Sequence, residues 1–108
     1  MTRSLDDVFG ALADPTRRQV LRRLVADGPT TATVLARDLP ITRQAVVKHL
    51  QALQQAGLVE PERQGREVRY AARPRPLEDA AGWLADTGVR WDRRLERLRR
   101  HVAEGAVP

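Results

Sequence analysis

The sequence predicts a mainly α-helical fold with one small β-hairpin, joined into a dimer through helices near the two ends of the chain. Three observations predict this fold class. Before residue 57, apolar residues recur at the three- and four-residue spacing of helices in four separate segments. Soon after, one short stretch alternates between apolar and polar residues, as a half-exposed strand does. Towards the C-terminus, apolar residues again repeat every three or four positions, which is typical of helices that pair with each other.

Length and charge indicate one small basic domain. The chain has 108 residues and a formal net charge of +5, and Lys48 is its single lysine, so arginine supplies nearly all of the positive charge. This balance favours a polyanion such as double-stranded DNA as the partner, with an ordinary solvated basic surface as the alternative. The absence of cysteine excludes disulfides, thiolate metal sites and cysteine nucleophiles. With no signal peptide and no apolar run of membrane-spanning length, we expect a cytoplasmic protein.

The first two helices are predicted from the residues that cap them. Ser4 followed by Asp7 is typical of the start of a helix, and Asp14 before Pro15 marks a second start. Gly28 ends the second helix. The apolar side of the first helix consists of Leu5, Val8, Phe9 and Leu12. The inner side of the second consists of Val20, Leu21, Leu24 and Val25.

A short third helix, a tight turn and a longer fourth helix follow, which is the helix-turn-helix arrangement. Thr30 or Thr31 caps the third helix, and Pro40 prevents its continuation. Thr42 caps the fourth helix, which runs to about Ala56. The buried stripe of the third helix consists of Ala32, Leu35, Ala36 and Leu39. That of the fourth consists of Val46, Leu50 and Leu53.

The outer face of the fourth helix is polar and free of acidic residues. No Asp or Glu occurs from Thr42 to Ala56, and an acidic side chain there would repel phosphate. This composition favours a helix that lies in the major groove of DNA, with a solvated surface helix as the alternative. We expect DNA contacts from Thr42, Arg43, Gln44, Val47, Lys48 and His49. Which of them read bases and which touch phosphate stays open. For His49, packing or contact with phosphate is favoured over a role as a metal ligand.

A two-stranded hairpin is predicted from residues 58–63 and 66–71, which turn at Gly65. Because Pro61 cannot donate a backbone hydrogen bond, its strand is expected at the edge of the sheet. The narrow tip is expected to reach DNA through Arg63 and Arg66. The alternative is that the hairpin arginines pair with Glu60, Glu62 and Glu67.

A long final helix is predicted from about Leu77 to Ala103, after a stiff link at residues 73–76. Its apolar seam consists of Leu84, Gly88, Trp91, Leu95, Leu98 and Val102. Because so small a body cannot cover both tryptophans, we expect the seam to pair with that of a second chain; the alternative is that it packs wholly on its own core. With the first helix packed alongside, the predicted dimer contacts are Leu5, Val8, Phe9, Trp83, Leu84, Trp91, Leu95, Leu98 and Val102.

The predicted organisation is a single domain over residues 1–108. Residues 4–76 form the helix-turn-helix with its hairpin, and residues 77–103 form the dimerisation helix. A two-fold axis between two chains would place the two copies of the fourth helix roughly 34–36 Å apart, on one face of a duplex.

Several segments together resemble the ArsR family of bacterial winged-helix repressors. They are residues 11–18, 42–50 and 56–59, together with the hairpin tip at 63–66, and the resemblance covers about residues 4–103. It implies a winged helix-turn-helix fold and a symmetric dimer that occupies promoter DNA and blocks transcription.

Many members of this family sense metals, but the family's ligand patterns are incomplete in this chain. A zinc pattern ending at His101 would place an acid and a histidine where Gly88 and Arg90 stand. The resemblance is therefore to the metal-free branch, and we expect no metal, no cofactor and no catalytic residue. A winged-helix module that binds another protein is the alternative to a DNA-binding repressor.

Overall fold

Residues 4–105 are described by the computed structural model, which contains five helices and a three-stranded sheet within that range. The helices are α1 (Leu5–Leu12), α2 (Pro15–Asp27), α3 (Ala32–Asp38), α4 (Arg43–Gln55) and α5 (Pro74–Ala103). The strands are β1 (Thr30–Thr31), β2 (Val59–Gln64) and β3 (Glu67–Ala72). The predicted mainly α-helical class with a small β-hairpin is confirmed.

Helices α1 to α4 begin where the capping residues predict. The side chains of Ser4, Asp14, Thr31 and Thr42 each accept a hydrogen bond from a backbone N–H in the helix that follows. Thr31 therefore caps α3, which decides between the two threonines that the sequence left open. Because these N–H groups have no partner inside their helix, the caps set the residue at which each helix starts.

The core lies where one side of each helix α1 to α4 meets the sheet. Its fully enclosed side chains include Leu35 of α3 and Val46, Leu50 and Leu53 of α4, which were all predicted to be buried, whereas Ala36, also predicted for the buried stripe of α3, is only partly buried. Val25 was predicted to be buried on α2, and this was wrong: 62% of it is exposed. At about 100° per residue, Val25 lies a quarter turn away from the centre of the buried stripe and borders an open groove instead.

The sheet has one more strand than predicted. The two residues of β1 pair with the middle of β3, so the order is β1-β3-β2. A two-residue strand has no alternation to reveal it, and only the approach of α3 to the hairpin places it beside β3. Pro61 lies in the edge strand β2, as expected, and Gly65 turns the hairpin with φ 62°. Residues 59–72, the hairpin β2–β3, are called the wing below.

Helix α5 begins at Pro74, three residues before its predicted start. The prediction of a stiff link at residues 73–76 was therefore wrong. Pro74 and Pro76 lie in its first turn, where the missing N–H costs no helical hydrogen bond and the fixed φ suits a helix. Ala80 is buried, and from Ala81 onward every described residue except the half-buried Leu95 is exposed.

The projection of α5 gives the protomer an elongated shape. The Cα radius of gyration is 19.7 Å, against about 13 Å for a compact chain of 100 residues. The alternative that α5 packs wholly on its own core is therefore wrong. No helix within residues 4–105 is long and apolar enough to cross a membrane.

Candidate nucleic-acid interface

Helix α4 presents a polar face while its opposite face is locked into the core. Val46, Leu50 and Leu53 are completely enclosed, which fixes the rotation of the helix. Gln44 and Lys48 consequently lie together on the exposed side, one helical turn apart. Lys48 makes no ion pair with any other described residue, so its ammonium group is available to an anion.

The first turn of α4 is tied to α3 by a side-chain hydrogen bond. Thr42 caps the helix, and the Nε of the next residue, Arg43, donates to Thr33 Oγ1 at 3.1 Å. This contact turns the base of the Arg43 guanidinium towards α3. Both Thr42 and Arg43 are exposed, as their predicted DNA contacts require.

The remaining predicted residues of α4 are half-buried. Val47 packs against the core cluster at the edge of the exposed face. His49 lies near the carboxylate of Asp14, and its Nδ1 is enclosed with no hydrogen-bond partner among the described residues. The backbone N–H of Arg17 is the main cause of the lowered pKa of Asp14, and His49 adds to it. This burial favours the packing role for His49 over contact with DNA.

Two arginines of the wing are left free at its tip. Arg63 and Arg66 are exposed and make no ion pair within residues 4–105. The acids of the wing pair with other arginines: Glu60 and Glu62 with Arg73, and Glu67 with Arg69. The predicted self-pairing of the hairpin therefore occurs only between Glu67 and Arg69, because Glu60 and Glu62 pair with Arg73, which lies outside the hairpin.

An open cleft of about 620 Å³ separates the helix-turn-helix from the wing. Within residues 4–105, three arginines line it, each from a different element: Arg37 from the last turn of α3, Arg43 from the start of α4, and Arg66 from the wing. Sequence reasoning missed Arg37. The signal that could have found it is its position four residues after Thr33, on the same face of α3.

The predicted dimer residues fall into two groups. In the first group, on α5, each residue is more than half exposed: Leu84, Trp91, Leu98 and Val102. Leu5, Phe9 and Leu95 are half-buried, and Phe9 meets the half-exposed Trp83 edge to face, with ring centroids 5.6 Å apart. Val8 is only 2% exposed and belongs to the protomer's own core, so placing it at a dimer contact was wrong.

Among residues 4–105, no three histidine or acidic side chains lie close enough together to hold a metal ion.

The chain is similar to characterised transcription regulators along most of its length. A family model described as a helix-turn-helix domain matches residues 12–62. The transcriptional repressor SdpR of Bacillus subtilis (strain 168) is 32% identical over 80 residues, which cover 74% of this chain and 88% of SdpR.

Solved structures extend the similarity to the fold. An ArsR-like transcriptional regulator from Rhodococcus sp. RHA1 is 45% identical, with a TM-score of 0.78 over 89% of this chain and 90% of that chain. The homodimeric winged helix-turn-helix DNA-binding domain Mb0332 from Mycobacterium bovis is 29% identical, with a TM-score of 0.59 over 95% of this chain and 81% of that chain.

Proposed function

Because the chain belongs to the ArsR family of winged helix-turn-helix regulators, and is thus a DNA-binding regulator of transcription, we propose that it acts as a homodimeric repressor that covers a promoter. One observation carries the proposal: the exposed face of α4 is polar, contains no acid, and borders a cleft that the unpaired Arg66 of the wing also lines. A surface of this composition attracts phosphate and offers hydrogen bonds to base edges.

Base reading is assigned to the middle of the exposed face of α4. Gln44 can bond an adenine edge in two places, Lys48 can bond guanine, and the methyl groups of Val47 can meet thymine. Thr42 stands at the helix N-terminus, where backbone N–H groups favour a phosphate. Arg63 and Arg66 would reach DNA beside the helix, since neither pairs with an acid within residues 4–105.

The proposed dimer rests on the exposed seam of α5. Monomeric soluble proteins rarely leave a long apolar stripe with a tryptophan uncovered, and a second copy covers it most simply. The Mycobacterium bovis domain is described as homodimeric, and SdpR as a repressor, which supports both parts of the proposal. A two-fold axis would then present two α4 helices to successive major grooves of one duplex.

The test begins with selection of bound fragments from a genomic library by the purified protein. Binding of a selected duplex is then measured at two salt concentrations, where release of counterions predicts a steep loss of affinity. Gln44→Ala is expected to reduce the preference for the selected duplex over a scrambled one by about tenfold. Gln19→Ala, on the exposed side of α2, is the matched control and should change nothing.

Two results would overturn the proposal. If the protein bound no duplex at low salt, the assignment of α4 to DNA would be wrong. If it bound every duplex alike and repressed no promoter fused to a selected site, it would not be a sequence-specific repressor.

A further inference from the structure

The three arginines of the cleft come from three different elements of the fold. Arg37 ends α3, Arg43 begins α4 and Arg66 lies at the turn of the wing, yet all three line the same opening. None of them makes an ion pair with another described residue. Three unpaired guanidinium groups around one opening create a positive potential that attracts an anion.

The position of the cleft identifies the anion. If α4 lies in the major groove, the wing beside it must lie over the neighbouring minor groove or its border. One sugar-phosphate strand separates two adjacent grooves, so that strand has to pass between α4 and the wing. We infer that the cleft holds this phosphodiester strand through Arg37, Arg43 and Arg66, which contribute affinity without sequence preference. The inference rests on the proposed function, since it requires α4 in the major groove.

The hydrogen bond from Arg43 to Thr33 sets the role of Arg43. Its position on the recognition helix suggests a base reader, but its Nε is already bound to Thr33 Oγ1 at 3.1 Å. The guanidinium is thereby held at the cleft, where its remaining N–H groups can form the paired bonds that suit phosphate. Thr33 is a positioning residue, and base reading is left to Gln44, Val47 and Lys48.

The acidic residue at the cleft does not cancel the positive charge of the three arginines. Among residues 4–105, Glu67 is the one acidic residue that lines the opening, and its carboxylate lies 3.6 Å from the Nε of Arg69. Arg69 faces it from the same strand, so the pair is close to neutral. The cleft therefore keeps a net positive charge from Arg37, Arg43 and Arg66.

The experiment compares charge removal inside and outside the cleft. Arg37→Gln and Arg66→Gln are measured against a selected duplex and a scrambled duplex over a range of salt concentrations. Each variant should lose about tenfold in affinity on both duplexes alike. The slope of log K against log salt should become less steep by about 1.8, because each of the two protomers loses one phosphate contact and each contact contributes about 0.9. Arg93→Gln, which removes the same charge on the side of α5 opposite the seam, should leave both quantities unchanged.

The outcomes separate this inference from the proposed function. If the parent protein binds the selected duplex but Arg37→Gln keeps its affinity and slope, the cleft does not hold a phosphate while the proposed function stands. If the parent binds no duplex, the proposed function fails first. A loss confined to the selected duplex would show that the arginine reads bases, which also contradicts the inference.

Thr33→Val tests the positioning step because it keeps the shape and removes the acceptor. The charge of Arg43 remains, so affinity should fall about threefold on both duplexes with the salt slope unchanged. A changed preference between the duplexes would mean that Arg43 contacts a base. Unchanged affinity on both would mean that the bond to Thr33 does not position it for DNA.

Discussion

Helices α4 and α5 both carry an apolar stripe at helical spacing, but they differ in where the stripe finds its partner. On α4, Val46 and Leu50 are completely enclosed by the same chain. On α5, Trp91 and Leu98 are 59% and 58% exposed. The two patterns look alike in the sequence, since periodicity shows that a face is apolar and not what covers it. The difference indicates that α4 belongs to a core complete in one protomer, whereas the seam of α5 is left for the second copy of the proposed dimer to cover.

The largest expected effect is in the enclosed stripe. Leu50→Ala should lower the free energy of unfolding by about 2–5 kcal/mol, because it removes buried methyl groups and leaves a cavity. Urea unfolding followed by circular dichroism measures the change. A loss below about 1 kcal/mol would mean that the core around α4 is looser than the structure indicates.

The next effect is expected in the seam of α5. Trp91→Ala combined with Leu95→Ala should shift the dimer to monomer, with association weakened by at least about thirtyfold, since buried aromatic anchors dominate interfaces. Sedimentation velocity measures the mass. Arg93→Ala on the opposite side of the helix is the control and should remain dimeric. An unchanged mass in the double variant would remove the contrast between the two helices.

Two glycines of α5 give a finer test. Gly88 lies on the seam and Gly82 lies nearly opposite, and a Cβ added at either would meet nothing within 4 Å in the protomer. In an isolated protomer, replacement by alanine should therefore stabilise the helix by about 1 kcal/mol at both positions. If a second helix approaches the seam, only Gly82→Ala should raise the melting temperature, because the new methyl group at position 88 meets the partner. Equal gains at both positions would place the partner elsewhere.

The smallest effect concerns how the helices begin. Asp14 caps α2 with a side-chain hydrogen bond, whereas Arg73 provides none at the start of α5. The N–H of Arg17 lowers the pKa of Asp14 in the folded state, so the charged cap stabilises the fold above the unfolded pKa. This stabilisation should be lost as the pH falls through the lowered pKa.

Asp14→Asn keeps a capping side chain without the charge. Urea unfolding from about pH 6 to about pH 2 should show a smaller pH dependence for this variant than for the parent. The same slope in both proteins would mean that Asp14 contributes no linkage. Asp38→Asn, in the last turn of α3, serves as a control for removing one acid from the body of the protein.

Local signals predicted most of the elements well. Capping residues and chain breakers act within a few residues of themselves, so α2 and α4 start and end where the sequence indicates. The errors lie where distant parts of the chain decide. Strand β1 exists only because β3 is beside it, and Val8 is withdrawn into the protomer's core by helices later in the chain.

The sequence by itself determined the order of the helices, the acid-free face of α4 and the apolar seam of α5, because each follows from residue spacing along one element. Only the tertiary structure decided which charges remain free. Glu60 and Glu62 pair with Arg73, and Glu67 pairs with Arg69, so Arg66 is left without an ion pair among residues 4–105. The approach of α3 to the wing places Arg37 at the same cleft. Electrostatic pairing depends on the distances between side chains of different elements, and the spacing of residues along the chain does not determine those distances.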